Sequence, residues 1–461
     1  MRMDRLLPVI LLCPVAAACA PAAAFRPLPI VDATEWGSEV TGSGEEVAVE
    51  DLWRALGSPE LERLIGEALA RNPDIAVAAS RIEQAAGQLD AARSLALPSV
   101  SATAGATRAA STGAASSSLR AGLSASYTVD LSGGARAAGG SAAARVRASG
   151  FDHRAVALDV AVQVARAYLQ FAALSDRIRV AERSKAIALD LQRIIDIQLR
   201  EGEVSQLEQA QQRTEVATLD AEMESLKLAR RLTQDALAVL TGAEAPGFRL
   251  GEASLAEFRL PALSPGQPST LLARRPDLLA AEARIVAAHG DIDSARAAFL
   301  PSLSVSPGLL ASGVGLFDPL TTTVSLASSI LAPIFSGGRL RGDLRQAEAA
   351  QVESVELYRK AILAALQETE DALATIDASM RREAALRTAA AEAERAATLA
   401  TQRYSEGYES FQTVLVIRRS RLSAEDAHAQ VVQERLEAVI ALYRAIGGSP
   451  LIVPSPVVGS R

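Results

Sequence analysis

Two hydrophobic periods alternate along this chain. Between residues 59 and 95, Leu61, Leu64, Ile65, Ala68 and Leu69 fall three and four apart, the spacing of one helix face. Ser58 and Pro59 suit an N-cap and first turn. Pro73 marks a break before a second helix over about 74–96, and Pro98 ends it. The period then drops to two. Val100, Ala102, Ala104 and Ala106 alternate with Ser101, Thr103, Gly105 and Thr107. Leu119, Ala121, Leu123, Ala125, Tyr127, Val129 and Leu131 alternate with Arg120, Gly122, Ser124, Ser126, Thr128 and Asp130. Each run predicts a strand of about 10–12 residues with one apolar and one polar face. Ser111 to Ser118, small and polar, reads as the turn between them. After Ser132-Gly133-Gly134 the helical period returns, with Val156, Val160, Val164, Ala167, Leu174 and Ile178 and no proline from about 135 to 200. Such a helix is roughly 100 Å long. Gly202 interrupts it, and a further helix is predicted over about 204–241.

The pattern is then repeated. Shifting the chain by 203 places Pro73-Asp74 on Pro276-Asp277, Arg81-Ile82 on Arg284-Ile285 and Leu97-Pro98-Ser99 on Leu300-Pro301-Ser302. The shift drifts to 204 at Ser132-Gly133-Gly134 against Ser336-Gly337-Gly338, and to 205 at Glu201-Gly202 against Glu406-Gly407. Leu303 and Val305, then Val324, Leu326 and Ile330, carry the second hairpin, with Gly313 to Pro319 as its turn. Long helices follow at about 339–405 and 410–446. The period is far longer than that of a solenoid, so the mature chain reads as one domain built from two similar halves. The divisions are a signal peptide at 1–18, an N-terminal extension at 19–57, a first repeat at 58–255 with its hairpin at about 99–131, a second repeat at 256–449 with its hairpin at about 301–335, and a tail at 450–461.

Composition narrows the class. Of 461 residues only 4% are aromatic, which favours long helices over a mixed globular core. The net charge of −7 argues against a nucleic-acid binder. Arg2 and Arg5 precede the apolar run Leu6 to Ala18, the form of a secretory signal and too short to span a membrane. Ala16-Ala17-Ala18-Cys19 ends that run like a lipobox, with Ala16 where Leu is usual. Lipid on Cys19 is one reading, and cleavage after Ala22-Ala23-Ala24 without lipid is the other. Since Cys13 lies in the leader, neither a disulfide nor a cysteine-held metal is expected, and no later charge-free apolar run is long enough to span.

Four strands of about ten residues, apolar on alternate positions, have the length of membrane strands. Four cannot close a barrel, and open edges would leave backbone groups unpaired in lipid. Two copies would supply eight strands and three would supply twelve. Helices of this length need partners along their whole length, as in a coiled coil. The consequence is a conduit rather than a catalyst. A coiled-coil scaffold without a channel is the alternative, but such a protein has no use for membrane-length strands.

Particular residues carry a resemblance. Trp53, Pro59-Glu60-Leu61, Ala68-Leu69 and Asn72-Pro73-Asp74 look like the N-terminal segment of the outer-membrane efflux proteins, the exit ducts of tripartite drug pumps. Arg275-Pro276-Asp277, Arg284, Phe299-Leu300-Pro301-Ser302 and Pro333-Ile334-Phe335-Ser336-Gly337-Gly338-Arg339 are similar to the family's second-half and strand-to-helix signatures. Tyr404, Gly407 and Ala445-Ile446-Gly447-Gly448 fit its last hairpin. The resemblance covers about 50–450, and the branch of lipoprotein channels serving RND-type multidrug transporters is the nearest.

It implies an α+β fold: a homotrimeric twelve-stranded outer-membrane β-barrel continued by a long α-helical periplasmic barrel. It implies a periplasmic adaptor and an inner-membrane RND-type transporter as partners, with no cofactor beyond lipid on Cys19. Heavy-metal efflux and type I protein secretion remain alternatives within the same class. The resemblance also implies an aperture at the helix tips around Gly202 and Gly407, with Ser205, Tyr404, Glu409 and Gln412 as candidates. Thr413 and Val416 stand where many members carry Asp. Three copies of Glu409 would attract cations, while a solvated loop charge is the plain alternative. Tyr404 either bonds across helix pairs to hold the tip shut or packs at a helix end.

Other patterns are weaker. Gly133-Gly134 and Gly337-Gly338 read as strand–helix junctions, and Gly139-Gly140 adds nothing, since the dinucleotide fingerprint's spacing is missing. Asp291 and Asp293 flank Ile292 in a helix, point apart and are expected on a solvated face. The runs Arg381-Arg382-Glu383 and Glu392 to Arg395 are expected to be exposed, and His153, His289 and His428 to be surface or packing residues.

Overall fold

A computed structural model describes residues 35–37, 52–112, 114–260, 266–314, 319 and 321–448. The leader, Cys19 and the C-terminal tail lie outside the described residues. The chain begins with a short helix α1 (Leu52–Ala55), followed by α2 (Pro59–Arg71) and α3 (Pro73–Ser94). Strands β1 (Ser99–Ser111) and β2 (Ala114–Val129) come next, then α4 (Gly134–Glu201) and α5 (Gln206–Leu240). Two 3-10 turns at Leu255–Glu257 and Pro268–Thr270 cross to the second half. There α6 (Leu271–Arg274), α7 (Pro276–Ala297), β3 (Ser302–Val314), β4 (Thr321–Leu331), α8 (Arg339–Ser405) and α9 (Phe411–Ala445) repeat the order.

The strands form one antiparallel sheet in the order β1-β2-β3-β4. Its register keeps the two faces distinct. Val100, Ala102, Ala104 and Ala106 oppose Ala125, Leu123, Ala121 and Leu119, and those oppose Leu309, Ala311 and Gly313 where β2 meets β3. The other face carries Ser101 bonded to Ser124 at 2.9 Å and Thr128 bonded to Ser304 at 3.3 Å.

Strands β1, β2 and β3, at 13, 16 and 13 residues, exceed the expected length, and β4 at 11 matches it. Ser111 pairs directly with Ala114, so most of Ser111 to Ser118 is strand rather than turn, and Gly313 pairs with Leu119 inside β3. Small serine-rich sequence mimics a turn in composition, but cross-strand pairing, not propensity, decides here.

Helix α4 is 68 residues long and α8 is 67, and each is paired by two shorter helices meeting end to end. Along α4 the partners are α5 and α3; along α8 they are α9 and α7, with α7 also packed on α4. The joints decide whether this works. In the first half Asn72 does two jobs. Its amide oxygen caps α3 by accepting from the Asp74 and Ile75 N–H groups at 2.8 and 3.3 Å. Its amide nitrogen donates to the last α5 carbonyl, Leu240, at 2.8 Å. In the second half Arg275 stands at the matching position. Its guanidinium donates to the Ala445 carbonyl at 3.1 Å and is held by Asp277 at 2.7 Å and Glu368 at 2.8 Å. Asp277 takes over the capping, accepting from the Leu278 N–H at 3.0 Å.

Close approach enforces both joints. A Cβ on Gly242 would lie 2.5 Å from the Arg71 carbonyl oxygen, and one on Gly447 would lie 2.9 Å from the Arg274 carbonyl carbon. The main core surrounds this level. Trp53 and Tyr443 meet edge-on at 4.8 Å, and Tyr168 meets Phe258 at 5.9 Å. Leu52, Trp53 and Leu56, within the segment read as extension, are buried in that core.

Several polar residues are more engaged than the sequence implies. Asp291 accepts from Ser141 at 2.7 Å and pairs with Arg145 of α4 at 2.5 Å, so it joins two helices while its side chain stays partly exposed. Arg382 pairs with Glu434, Glu383 with Arg435 and Glu394 with Arg421. These charge runs therefore tie helices together. Helix α4 contains an 18-residue window apolar enough on average to span a membrane, though not a charge-free run, and 61% of it is buried within the chain. That apolarity serves packing.

Arg275 is 6% exposed, so removing it strands two carboxylates. Arg275→Met is expected to cost about 3 kcal/mol, read as a fall in the denaturation midpoint of the detergent-solubilised protein. Burial pushes the Asp277 carboxyl up, but the Arg275 guanidinium outweighs this and holds it below the ordinary 3.8. The contribution is therefore present above about pH 3.8 and lost as pH falls through the lower folded value. The gap between wild type and variant should close in acid.

Candidate functional site

The far ends of the two helix pairs lie side by side. Helix α4 ends at Gly202, which adopts φ +79° while the Glu203 N–H returns to the Gln198 carbonyl at 2.9 Å. Helix α8 ends in the same way: Gly407 adopts φ +80° and the Tyr408 N–H reaches the Arg403 carbonyl at 2.9 Å. Both glycines occupy the left-handed region, where a side chain is strained. Ser205 then starts α5 with a reciprocal cap. Its N–H donates to the Glu208 carboxylate at 2.8 Å, and its hydroxyl accepts from the Glu208 N–H at 3.5 Å. Ser410 starts α9, its hydroxyl accepting from the Thr413 N–H at 3.1 Å.

A small apolar cluster fastens the tips together: Leu191 and Ile195 of α4, Ala400 of α8, and Phe411, Val414 and Leu415 of α9. Val204 and Tyr404 pack against it. The Tyr404 ring lies 5.9 Å from Phe411, and its hydroxyl donates to the Gln198 side chain at 3.3 Å. Both expectations for Tyr404, a bond across helix pairs and packing at a helix end, thus apply within one chain. Burial pushes its pKa above 10, so the hydroxyl remains a donor at neutral pH.

Glu409 sits in the second tip loop, its carboxylate accepting from the Ser410 N–H at 3.1 Å. That bond, with the Thr413 hydroxyl and then Arg403 adding to it, holds the carboxyl below its ordinary value, so Glu409 is anionic at neutral pH. Gln412 is exposed on the first turn of α9. Tyr408 and Val416 are exposed beside it.

Below the tips lies a set of ties that sequence reading missed. Arg419 of α9 pairs with Glu215 of α5 at 2.6 Å. Buried Arg421 reaches Glu394 at 2.9 Å and Ser184 at 3.2 Å. Arg177 pairs with Asp426 at 2.5 Å. The Gln212 amide donates to the Ala188 carbonyl at 2.6 Å.

The junction glycines lie at the other end of α4 and α8, about 100 Å away at helical rise, and share no site with the tips. Gly133 has φ +78°, and Gly134 leaves 3.0 Å between a would-be Cβ and Ala297. Asp130, at the end of β2, accepts from the Ala135 and Arg136 N–H groups at 3.2 and 3.0 Å, supplying the cap that Gly133 lacks. Gly337 and Gly338 adopt φ +61° and +88° before α8. Among the described residues, no three His, Cys, Asp or Glu side chains are placed to hold a metal.

The sequence matches the outer membrane efflux protein family over residues 64–243 and 267–448. The chain belongs to that family. It is 35% identical over 429 residues to the pyoverdine export outer membrane protein OpmQ of Pseudomonas aeruginosa, covering 90% of each chain. It is 30% identical to the outer membrane protein OprJ of the same species, covering 94% of this chain and 90% of OprJ. Its structure resembles the open-state outer membrane channel MtrE of Neisseria gonorrhoeae with a TM-score of 0.83 and 27% identity, covering 92% and 97%. The α+β channel fold, with a membrane β-barrel portion, a long helical barrel and two repeats per chain, is that of the family. So is location in the outer membrane with the helical part in the periplasm.

Tyr404→Phe keeps the ring contact and removes the bond to Gln198, a loss of about 1 kcal/mol. Single-channel conductance is expected to rise. Conductance equal to wild type would leave Tyr404 with packing alone.

Proposed function

We propose that this outer-membrane efflux protein is the passive exit duct of a tripartite pump, carrying drugs or other small toxic compounds from periplasm to exterior. The observation that carries the reading is the open four-stranded sheet, apolar on one face, continued by helices of about 100 Å. Both sheet edges need partners in lipid. Three copies supply twelve strands and, with the paired helices, one continuous tube. An inner-membrane RND-type transporter supplies the energy, and a periplasmic adaptor docks at the tips. Docking displaces the ties around Tyr404 and Glu215–Arg419 and widens the aperture, where a ring of Glu409 favours cations. Cys19 carries lipid in the outer membrane. None of these steps asks for catalysis.

A second cargo has its own support. Two relatives, at 35% and 36% identity, are named for pyoverdine export, so a pyoverdine-like compound stands beside drugs as the material carried.

The test uses detergent-extracted outer membranes. Native mass is expected at three times the monomer, with a lipid adduct that Cys19→Ala removes, and the protein is expected to conduct ions in a planar bilayer. A monomer without conductance would sink the duct. A conducting trimer without lipid would move cleavage to Ala24. Glu409→Gln is expected to reduce cation preference, and an unchanged reversal potential would return Glu409 to an ordinary loop charge.

A further inference from the structure

The charges of this chain are distributed unevenly between its two parts. The helices carry most of them. The four strands contain only Arg108 and Arg120, and no Asp or Glu. The register separates these two arginines. Arg108 shares its face with Val100, Ala102, Ala104 and Ala106, three residues before β1 ends, and opposes Ser117. That is the lipid side, at headgroup level, where a long cationic side chain reaches water or phosphate. Arg120 lies on the opposite face.

That opposite face is small and hydroxyl-rich. Across β1 it holds Ser101, Thr103, Gly105 and Thr107, and across β2 Ser118, Gly122, Ser124 and Ser126. The shared orientation is visible in contacts. A Cβ on Gly122 would touch the Leu310 side chain and the Thr103 hydroxyl, and one on Gly308 would touch the Ser325 hydroxyl. Arg120 is exposed and opposes Gly105 on one side and Ser312 on the other. Gly105 brings no side chain opposite Arg120, and nothing lies within 4 Å of its would-be Cβ. Gly105 is also the middle residue of β1, which puts Arg120 near mid-height of the membrane segment. Among the described residues the first acid along this face is Asp130, just past the end of β2, which already holds Arg136 and two backbone N–H groups.

We infer that Arg120 forms a cationic ring midway along the lumen of the membrane barrel, and that this ring gives the outer segment of the duct a preference for anionic solutes bearing carboxylate, phosphate or sulfonate groups. The inference rests on the trimeric duct proposed above, which brings three copies of Arg120 to one height. In a narrow tube with low-dielectric walls and no counter-charge, such a ring raises the local anion concentration, and the planar guanidinium matches carboxylate and phosphate geometry. The overall charge of −7 does not oppose this, because none of the acidic excess lies in the strands, which carry two Arg and no Asp or Glu. Glu409 is about 100 Å away, many screening lengths at 0.1 M salt, so the two rings act independently and with opposite sign.

The test is the chloride-to-potassium permeability ratio, from the reversal potential of the full chain in a planar bilayer under a KCl gradient. Arg120→Gln is expected to lower the ratio about threefold, the effect of one kT of lumen potential, and Arg120→Lys to keep it near wild type. Glu409→Gln is expected to raise the ratio in both backgrounds by the same factor. As a check independent of any variant, hexacyanocobaltate, an inert trivalent anion, added on the outer side should reduce the wild-type current at low salt and not at 1 M KCl. A conducting wild type that the anion does not block, or an Arg120→Gln variant with an unchanged ratio, overturns the ring while leaving the duct intact. A wild type that does not conduct overturns the duct itself.

Discussion

A helix of nearly seventy residues is stable in water only if its apolar stripe is covered from end to end. In this chain no single return helix does that. Helix α5 covers the tip half of α4, α3 covers the membrane half, and the two must meet without leaving buried backbone groups unpaired. The joint at Asn72 and Leu240, and its counterpart at Arg275 and Ala445, resolve this. Each closes the orphan carbonyl of one helix with the side chain that starts the next. Gly242 and Gly447 allow the chain to pass close enough for that bond to form. The dense aromatic core around Trp53, Tyr168 and Tyr443 gathers at this level for the same reason: the helices of both halves converge there.

The duplication explains the position of the remaining polar contacts. Two similar halves packed together bring equivalent residues near one another, and contacts across that relation are stable when the partners differ. Glu215 with Arg419 stands one residue from that relation. The joints themselves show a related divergence, since a neutral amide closes one and a guanidinium with two carboxylates closes the other. The ionic joint depends on pH, whereas the amide joint does not.

Much of this was legible in the sequence because periodicity reports which face is buried. The change from a period of three or four to two located the hairpins, and Gly202 and Gly407 located the tips. Prolines 59, 73 and 276 marked the helix starts. What composition suggested without pairing information went astray at Ser111 to Ser118, where strand register overrides a turn-like sequence. Contacts between residues about 150 or 200 positions apart were not legible one residue at a time. Asp291, Glu383 and Arg421 have the appearance of surface charge until the helices that face them are known. The tip candidates were placed by resemblance. The structure adds that Ser205 is committed to a helix cap, and that Tyr404 is the tip residue with a partner in the other half.

The strand edges have a further consequence. In one copy, β1 and β4 each leave a row of backbone donors and acceptors open, and Leu326, Ile330 and Leu331 are exposed along β4. A lone chain is therefore not a resting state of the molecule. Alone, its open edges and exposed apolar strand face favour pairing with other copies or aggregation. The helical part, with its own buried core, folds without waiting for lipid. Assembly of the barrel is then a concentration-dependent step that follows folding, and the time a copy spends alone in the periplasm is set by how many others are present.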